Sequence, residues 1–165
     1  MTALWDGLCA AYRIVGFESA TKGDNVFRDL VLARIVEATS KIDAERVLTE
    51  VGIAPASYAT VKRRLPAYAQ PEWRQSLAAA CAARAGLGPA SLVLFDVSTL
   101  YFETDAGDGF REPGFSKERR LEPQITLGLL TDASGFPLAV EAFEGNKAEC
   151  DTRSHVVSGS RRWRA

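Results

Sequence analysis

The residue best suited to chemistry in this sequence is Asp96, a single carboxylate in the middle of an apolar and β-branched segment. The segment covers residues 92–103 and reads L-V-L-F-D-V-S-T-L-Y-F-E. Its content of Val, Phe, Thr and Tyr predicts a β-strand. A carboxylate buried in such a strand has to be paired, metal-bound or protonated, because burying a bare charge is costly. The simplest interpretation is a core aspartate held by donors such as Ser98 and Thr99.

Basic residues form the second group that could do chemistry. They cluster at Lys62-Arg63-Arg64, at Lys117 with Arg119-Arg120, and at Arg161-Arg162 with Arg164. The net charge of the chain is −1, so no overall basic field indicates a nucleic-acid partner. Local clusters of this kind can bind phosphate groups, but they can equally be solvated surfaces, and both interpretations remain open.

The length and composition of the chain limit its size class and the kinds of site it can hold. The chain has 165 residues, 47% of them hydrophobic and 25% charged, which suits one domain, or a small helical domain plus part of another. The three cysteines, Cys9, Cys81 and Cys150, match neither a zinc spacing nor a disulfide framework, and His155 is the only histidine. No apolar run reaches the roughly 18 residues of a membrane span, and no signal peptide is recognisable. The sequence predicts a cytoplasmic protein with no membrane partner.

The elements that position these residues change in character along the chain. Residues 1–88 are predicted to be helical, with apolar residues at helical spacing. One helix is expected to follow an N-cap at Asp24 or Asn25. The next is expected to follow a cap at Ser40 and to end at Gly52, where glycine suits the residue after a helix.

Two further helices complete the predicted helical region. Ser57 can cap a helix that ends near Pro66, and Pro71 suits the first turn of another. Residues 43–65 therefore resemble a helix-turn-helix whose second helix carries Lys62, Arg63 and Arg64. An ordinary helical hairpin with solvated basic residues is the alternative, and the turn here is looser than the compact turn of that motif.

Strand patterns follow the Gly-Pro-Ala-Ser boundary at residues 88–91. Strands are predicted at 92–103, 124–131 and 136–144, and residues 132–135 form a tight hairpin in which Gly135 suits a positive φ. A polar loop at residues 104–123 joins the first two strands, and loops of that length usually have a function or are disordered. Helices followed by an antiparallel meander predict an α+β fold.

Four ordered segments, in sequence, resemble bacterial insertion-sequence transposases of the DDE type. They are F-D-V-S-T-L-Y-F-E at 95–103, G-F-S-K-E-R-R at 114–120, P-Q-I-T-L-G-L-L-T-D at 123–132 and G-F-P-L-A-V-E-A-F-E-G-N at 135–146. The helical part, with V-F-R-D-L-V-L-A-R-I-V-E at 26–37 and S-Y-A-T-V-K-R-R-L at 57–65, is also similar to these proteins. The resemblance covers roughly residues 10–149.

The resemblance implies a ribonuclease-H-like core that performs DNA cleavage and strand transfer. In that family the first of three metal-binding acidic residues lies on the first strand, which places it at Asp96. Two divalent ions, Mg²⁺ or Mn²⁺, would activate the attacking hydroxyl and stabilise the leaving oxygen, and such hard ions prefer carboxylate ligands. The implied partners are DNA, as transposon ends and target, and a second transposase chain.

Other charged residues near the predicted strands are weaker candidates. Glu103, Glu141, Glu144 and Asp132 match neither the second nor the third acidic ligand of the family, and Asp132 is predicted to stabilise its turn. Glu141 is expected to share a strand face with Ala139 and Phe143. In the loop, Lys117, Arg119 and Arg120 are candidates for phosphate contacts, with a solvated loop as the alternative.

These observations divide the chain into three segments. Residues 1–88 form a helical region, 89–149 the start of a ribonuclease-H-like core, and 150–165 a tail that does not match the family. The tail, C-D-T-R-S-H-V-V-S-G-S-R-R-W-R-A, resembles out-of-frame translation, and the second and third acidic ligands of the family are expected to be missing. We therefore expect an inactive truncated transposase with an exposed sheet edge and apolar face.

Two other functions are consistent with the sequence. The helical region could recognise DNA ends without catalysis, or could pair with intact transposase and inhibit it. Alternatively, the chain could be a small α+β domain with no nucleic-acid role, in which Asp96 is a core residue with satisfied hydrogen bonds.

Overall fold

A computed structural model describes residues 2–87, 92–104, 106–114 and 122–147. The chain divides into two compact units, one covering Met1–Arg84 and the other beginning at Ala85. We refer to them as the helical unit and the sheet unit. The described residues contain six helices followed by a three-stranded antiparallel sheet, so the predicted α+β class is confirmed. Among these residues, no helix is both long enough and apolar enough to cross a membrane.

The helical unit contains six consecutive helices. They are α1 (Thr2–Ile14), α2 (Phe17–Ala20), α3 (Asn25–Val36), α4 (Ala44–Glu50), α5 (Tyr58–Tyr68) and α6 (Pro71–Ala85). The core lies between the first four, where Trp5 and Tyr12 of α1 pack with Leu32 of α3 and Val47 of α4. Removal of these side chains from water supplies the main stabilisation of the unit.

Helix ends largely follow the local sequence. Asp24 caps α3 by accepting a hydrogen bond from the backbone N–H of Phe27 at 3.0 Å. After α4, Gly52 adopts φ 84° and its N–H donates to the carbonyl of Thr49, while the N–H of Ile53 donates to the carbonyl of Leu48. This is the αL stop that was predicted at Gly52, and a side chain there would strain the backbone.

Two predicted helix boundaries are wrong. Ser40 does not cap α4: its hydroxyl accepts from the N–H of Asp43 in the preceding turn, and Asp43 is the N-cap residue. The second error is at Pro66, which lies inside α5 instead of ending it. Proline removes one backbone hydrogen bond, but the helix resumes its bonding when the N–H of Ala69 donates to the carbonyl of Leu65.

Tertiary packing explains why α5 continues beyond its proline. The extra turn carries Tyr68, whose ring lies 5.0 Å from that of Phe27 and 4.9 Å from that of Trp73, measured between centroids. Phe27 and Trp73 are themselves 5.2 Å apart, so the three rings form a closed triangle. Such aromatic contacts add roughly 0.5–1.5 kcal/mol each beyond burial, which can offset one lost helical bond.

The sheet unit contains β1 (Val93–Tyr101), β2 (Gln124–Asp132) and β3 (Pro137–Glu144), paired in the order β1-β2-β3. The predicted hairpin between β2 and β3 is confirmed, with Gly135 at φ 87°. The Asp132 carboxylate accepts from the backbone N–H groups of Ser134 and Phe136, as predicted for a turn residue. The hydroxyl of Ser134 and these N–H groups lower the pKa of Asp132.

The two faces of the sheet differ in burial. On the inner face, Leu130, Leu138 and Phe143 are buried and pack with Phe95, Phe136 and the segment at Ala85 and Leu87. Gly128 lies under the rings of Phe95 and Phe143, and a Cβ there would come within 2.9 Å of the Phe95 ring. Among the described residues, the outer face exposes Leu94, Leu100 and Val140.

The described part of the loop between β1 and β2 closes against one end of the sheet. Asp108 and Arg111 form an ion pair of 2.6 Å, and Glu112 exchanges backbone hydrogen bonds with Gln124 at the start of β2. The N–H of Gly145 donates to the carbonyl of Phe110. The described loop residues are therefore tied to the ends of β2 and β3.

Candidate functional site

Asp96 lies at the centre of β1 on the outer face of the sheet, and its side chain is exposed. Strand alternation produces this placement, because successive side chains point to opposite faces. Val93 and Phe95 pack against the inner core, so Asp96 points away from it. The expectation of a buried aspartate held by Ser98 or Thr99 is therefore wrong. Water solvates this carboxylate, and no burial cost has to be offset.

The surroundings of Asp96 are mainly apolar. It stands directly opposite Leu129 of β2, with Leu94 and Ser98 two residues away on the same face of β1. Leu94, Leu100 and Val140 on this face are exposed at 49%, 45% and 51%. A carboxylate on a mainly apolar face contributes little to packing, and Asp is among the residues least suited to strands. Its position favours a role toward something outside the sheet.

Other carboxylates do not converge on Asp96. Glu144 shares its face but lies across β2 from Leu100, which places it about 13 Å along the strands and about 10 Å across them. Glu141 stands opposite Gly128, on the inner-face side with Phe143, as predicted. Asp132 belongs to the hairpin at the far end of β2. Within the part of the chain that the structure describes, no group of three His, Cys, Asp or Glu residues is placed to hold a metal ion.

The residues present do not fit a two-ion centre by themselves. Such a centre holds two cations roughly 3.5–4 Å apart between several carboxylates. Asp96 supplies one hard oxygen ligand in a rigid and accessible position, but within the described residues it belongs to no group of three potential metal ligands. A single carboxylate such as Asp96 binds a divalent ion only weakly, and tight binding would need further ligands.

The three basic residues predicted to contact DNA differ in their surroundings on α5. Lys62 and Arg63 are exposed: the Lys62 ammonium lies 5.9 Å from the centre of the Tyr58 ring, and Arg63 makes a long 3.5 Å hydrogen bond to the Thr60 hydroxyl. Arg64 instead pairs with Asp24 at 2.7 Å. Among the residues that the structure describes, Lys62 and Arg63 form no ion pair that a phosphate would have to displace, whereas Arg64 is held in its pair with Asp24.

Asp24 makes more structural contacts than its sequence position as an N-cap indicated. Besides capping α3, its carboxylate accepts from the Tyr68 hydroxyl at 3.0 Å and pairs with Arg64, and its side chain is only 6% exposed. Burial and the nearby Asp24 carboxylate raise the pKa of Tyr68. The capping pattern indicated the first contact, but nothing in the local sequence indicates the other two, because both partners lie on α5.

The remaining predicted site residues lie outside the described residues. These are Lys117, Arg119 and Arg120 of the loop, together with the whole tail at 150–165. Their proposed phosphate contacts stay predictions.

This chain was compared with protein families, curated proteins and solved structures. No protein family, curated protein or solved structure matches this chain.

Proposed function

We propose that this chain represents the DNA-binding region and the first three core strands of a DDE-type insertion-sequence transposase with a ribonuclease-H-like core. In this proposal Asp96 is the first acidic ligand of a site for phosphodiester cleavage and strand transfer. The partners are DNA and a second transposase chain. In that family a complete site also contains two acidic ligands that follow the third strand.

The placement of Asp96 carries the proposal. A carboxylate at the centre of β1, exposed and beside Leu94 and Leu129, contributes little to stability. A strand is also a rigid platform for a ligand that must be held within a fraction of an ångström. The order β1-β2-β3 supports the proposal further. Among the described residues, β1 lies at the edge of the sheet and pairs only with β2, so its other edge could pair with a further strand.

The chemistry assigned to Asp96 is limited to metal binding. Its oxygens would hold a divalent cation on the outer face of the sheet, together with ligands from the rest of the complete site. A pair of such cations, when bound, activates the attacking oxygen and stabilises the leaving oxygen. The apolar residues around Asp96 would lower the local dielectric once the face is covered, which strengthens the attraction between carboxylate and cation.

Manganese binding tests this role without requiring turnover. Mn²⁺ should broaden the backbone NMR signals of residues around Asp96 on β1 and β2 more than those elsewhere. The Asp96→Asn variant keeps the side-chain size and should lose this broadening. Glu103→Gln, at the exposed residue beyond β1, is the matched control and should keep it. Equal broadening in wild type and Asp96→Asn would contradict the proposal.

A non-catalytic DNA-binding function is the second candidate, and the structure of α5 favours it specifically. Ser57 caps this helix through its hydroxyl, which accepts from the N–H of Thr60, and Lys62 and Arg63 stand exposed on it. Helix α4 and residues 51–57 precede it, an arrangement compatible with a loose helix-turn-helix. Both functions would coexist in one transposase.

Salt dependence distinguishes DNA binding by α5 from a merely solvated helix. Binding of duplex DNA should weaken as salt increases, and replacement of Lys62 and Arg63 by Ala should reduce the slope of log K against log salt by about 2. The control is Arg13 with Arg84, two exposed arginines at the ends of α1 and α6, changed to Ala. If the control lowers the slope equally, α5 is not a specific DNA contact.

A further inference from the structure

The helical unit contains a groove of about 340 Å³ along one side of α3. Phe27, Leu30, Val31 and Arg34, which recur at helical spacing, form one wall, and Leu65 of α5 contributes to the opposite wall. Sites for small ligands typically occupy 300–1,000 Å³ and are lined mainly by apolar and aromatic side chains with a few polar groups. The groove meets both conditions.

One wall of the groove is held rigidly. The Tyr68 ring lies edge-on to Phe27, and the Tyr68 hydroxyl donates to the buried carboxylate of Asp24. Trp73 packs against both rings from α6. The aromatic surface is therefore formed before any ligand arrives, which reduces the entropy cost of binding.

Two cations border the same groove. Arg34 and Lys41 are exposed, and within the described chain neither forms an ion pair. The lining includes no carboxylate, so its net charge is +2 from these two residues. Arg28 and Arg46 of this unit are instead neutralised: Arg28 pairs with Asp29, and Arg46 pairs with three carboxylates.

We propose that this groove binds a small amphipathic anion, with an alkyl or aryl body between α3 and α5 and a carboxylate or phosphate head at Arg34 and Lys41. The Ser40 hydroxyl also lines the groove; its oxygen accepts from the Asp43 N–H, and its proton is available to donate to the head group. A nucleic-acid backbone suits the groove less well, because its apolar walls offer few partners for a chain of phosphates and sugars.

A ligand series with one body and different heads tests the proposal on the intact chain. Octanoate and octyl phosphate should bind and shift the NMR signals of residues in α3, α5 and the segment at 39–41. Octanol and octylammonium share the body and should bind more weakly. If octanol binds as tightly as octanoate, or if the shifts fall on the sheet unit, the proposal is overturned.

Charge removal tests the head-group site. The double variant Arg34→Gln with Lys41→Gln should weaken octanoate binding about fivefold, the size expected for two solvent-exposed ion pairs. Arg13→Gln with Arg84→Gln makes the same charge change outside the groove lining and should leave the affinity unchanged. Equal effects of the two double variants would show a general charge effect and overturn the proposed head-group site.

Two further experiments test where the alkyl body binds and whether DNA occupies the groove instead. Val31→Trp should fill part of the groove and abolish octanoate binding while the helical circular dichroism is retained; unchanged binding would overturn the proposal. Duplex DNA that displaces octanoate, and that loses affinity when Arg34 and Lys41 are changed, would reassign the two cations to phosphate contacts. This outcome does not depend on metal binding at Asp96, so the two proposals fail independently.

Discussion

The guanidinium of Arg64 lies 2.7 Å from the carboxylate of Asp24, and this contact links the middle of α5 to the beginning of α3. The same carboxylate accepts from the N–H of Phe27 and the hydroxyl of Tyr68. Arg64, which lies in a basic cluster of the sequence, therefore forms an ion pair with Asp24, the N-cap residue of α3.

Replacement of Asp24 by Ala should be strongly destabilising. The variant removes the helix cap, worth about 1 kcal/mol, and leaves Arg64 and Tyr68 without their partner, for a total loss of about 3 kcal/mol. Urea denaturation followed by circular dichroism measures this loss. Asp24→Asn keeps a good capping group but removes the charge, so its loss should be about half as large; equal losses would argue against the ion pair.

Alkaline pH should destabilise the helical unit through Tyr68. Its pKa in the folded protein is raised, so the folded state retains the proton at a pH where the unfolded state has released it. Stability is therefore fully present below about pH 10 and declines as pH rises from there toward the folded pKa. Denaturation midpoints between pH 8 and pH 11 should fall less in Tyr68→Phe than in wild type. Tyr12, whose pKa is raised by burial, should leave part of the decline in that variant.

Acid pH should destabilise the helical unit through protonation of Asp43. Hydrogen bonds from Arg46 and Thr39 lower the pKa of Asp43 to about 2. Because the folded pKa is depressed, the stability it contributes is present above the unfolded value of about 3.9 and is lost as pH falls toward 2. In Arg46→Gln, NMR titration should show the pKa of Asp43 moving up toward its ordinary value. A titration unchanged by that substitution would assign the shift to Thr39 alone.

A methyl group at Gly128 should disturb the inner face of the sheet. In Gly128→Ala the added Cβ meets the rings of Phe95 and Phe143, and overpacking of this kind costs about 1–3 kcal/mol. Thermal unfolding measures the change. Gly7→Ala on α1, where the added Cβ meets no atom within 4 Å, is the control and should be neutral or stabilising. A stabilised Gly128→Ala variant would mean that the two rings can move aside.

Asp96 should reduce the stability of the sheet that carries it. Asp96→Thr replaces a poor strand residue by a good one on the outer face, so it should raise the free energy of unfolding by up to ~1 kcal/mol. Functional residues commonly carry such a cost. Urea denaturation tests this prediction. A loss of stability on substitution would mean that Asp96 supports the fold, and would weaken its assignment as a metal ligand.

Local physical chemistry was sufficient to predict much of this fold. Segments rich in apolar and β-branched residues predicted all three strands, and β-turn chemistry at Asp132 and Gly135 predicted the hairpin. Capping chemistry predicted the start of α3 at Asp24 and the end of α4 at Gly52. These features depend on residues within a few positions of one another, which is why the sequence alone reveals them.

Prediction from the sequence was insufficient where distant residues compete with local preference. Pro66 predicted a helix end, but the aromatic triangle of Phe27, Tyr68 and Trp73 keeps α5 helical beyond it. The segment around Asp96 predicted burial, but in the described part of the chain the core forms on the face of Phe95, and Asp96 on the other face is exposed. Strand alternation shows that Asp96 and Phe95 point to opposite sides, and it does not show which side receives the core.

The sequence by itself determined that helices precede three strands, the stop of α4 at Gly52, the hairpin turn at residues 132–135, and the position of Asp96 at the centre of a strand. Only the tertiary structure decided that this carboxylate is exposed, that Arg64 is held by Asp24, and that Arg34 and Lys41 border one groove. The physical reason is that each of these outcomes depends on which elements pack together. Burial, ion pairing and groove formation join residues far apart in the chain, and no local pattern specifies them.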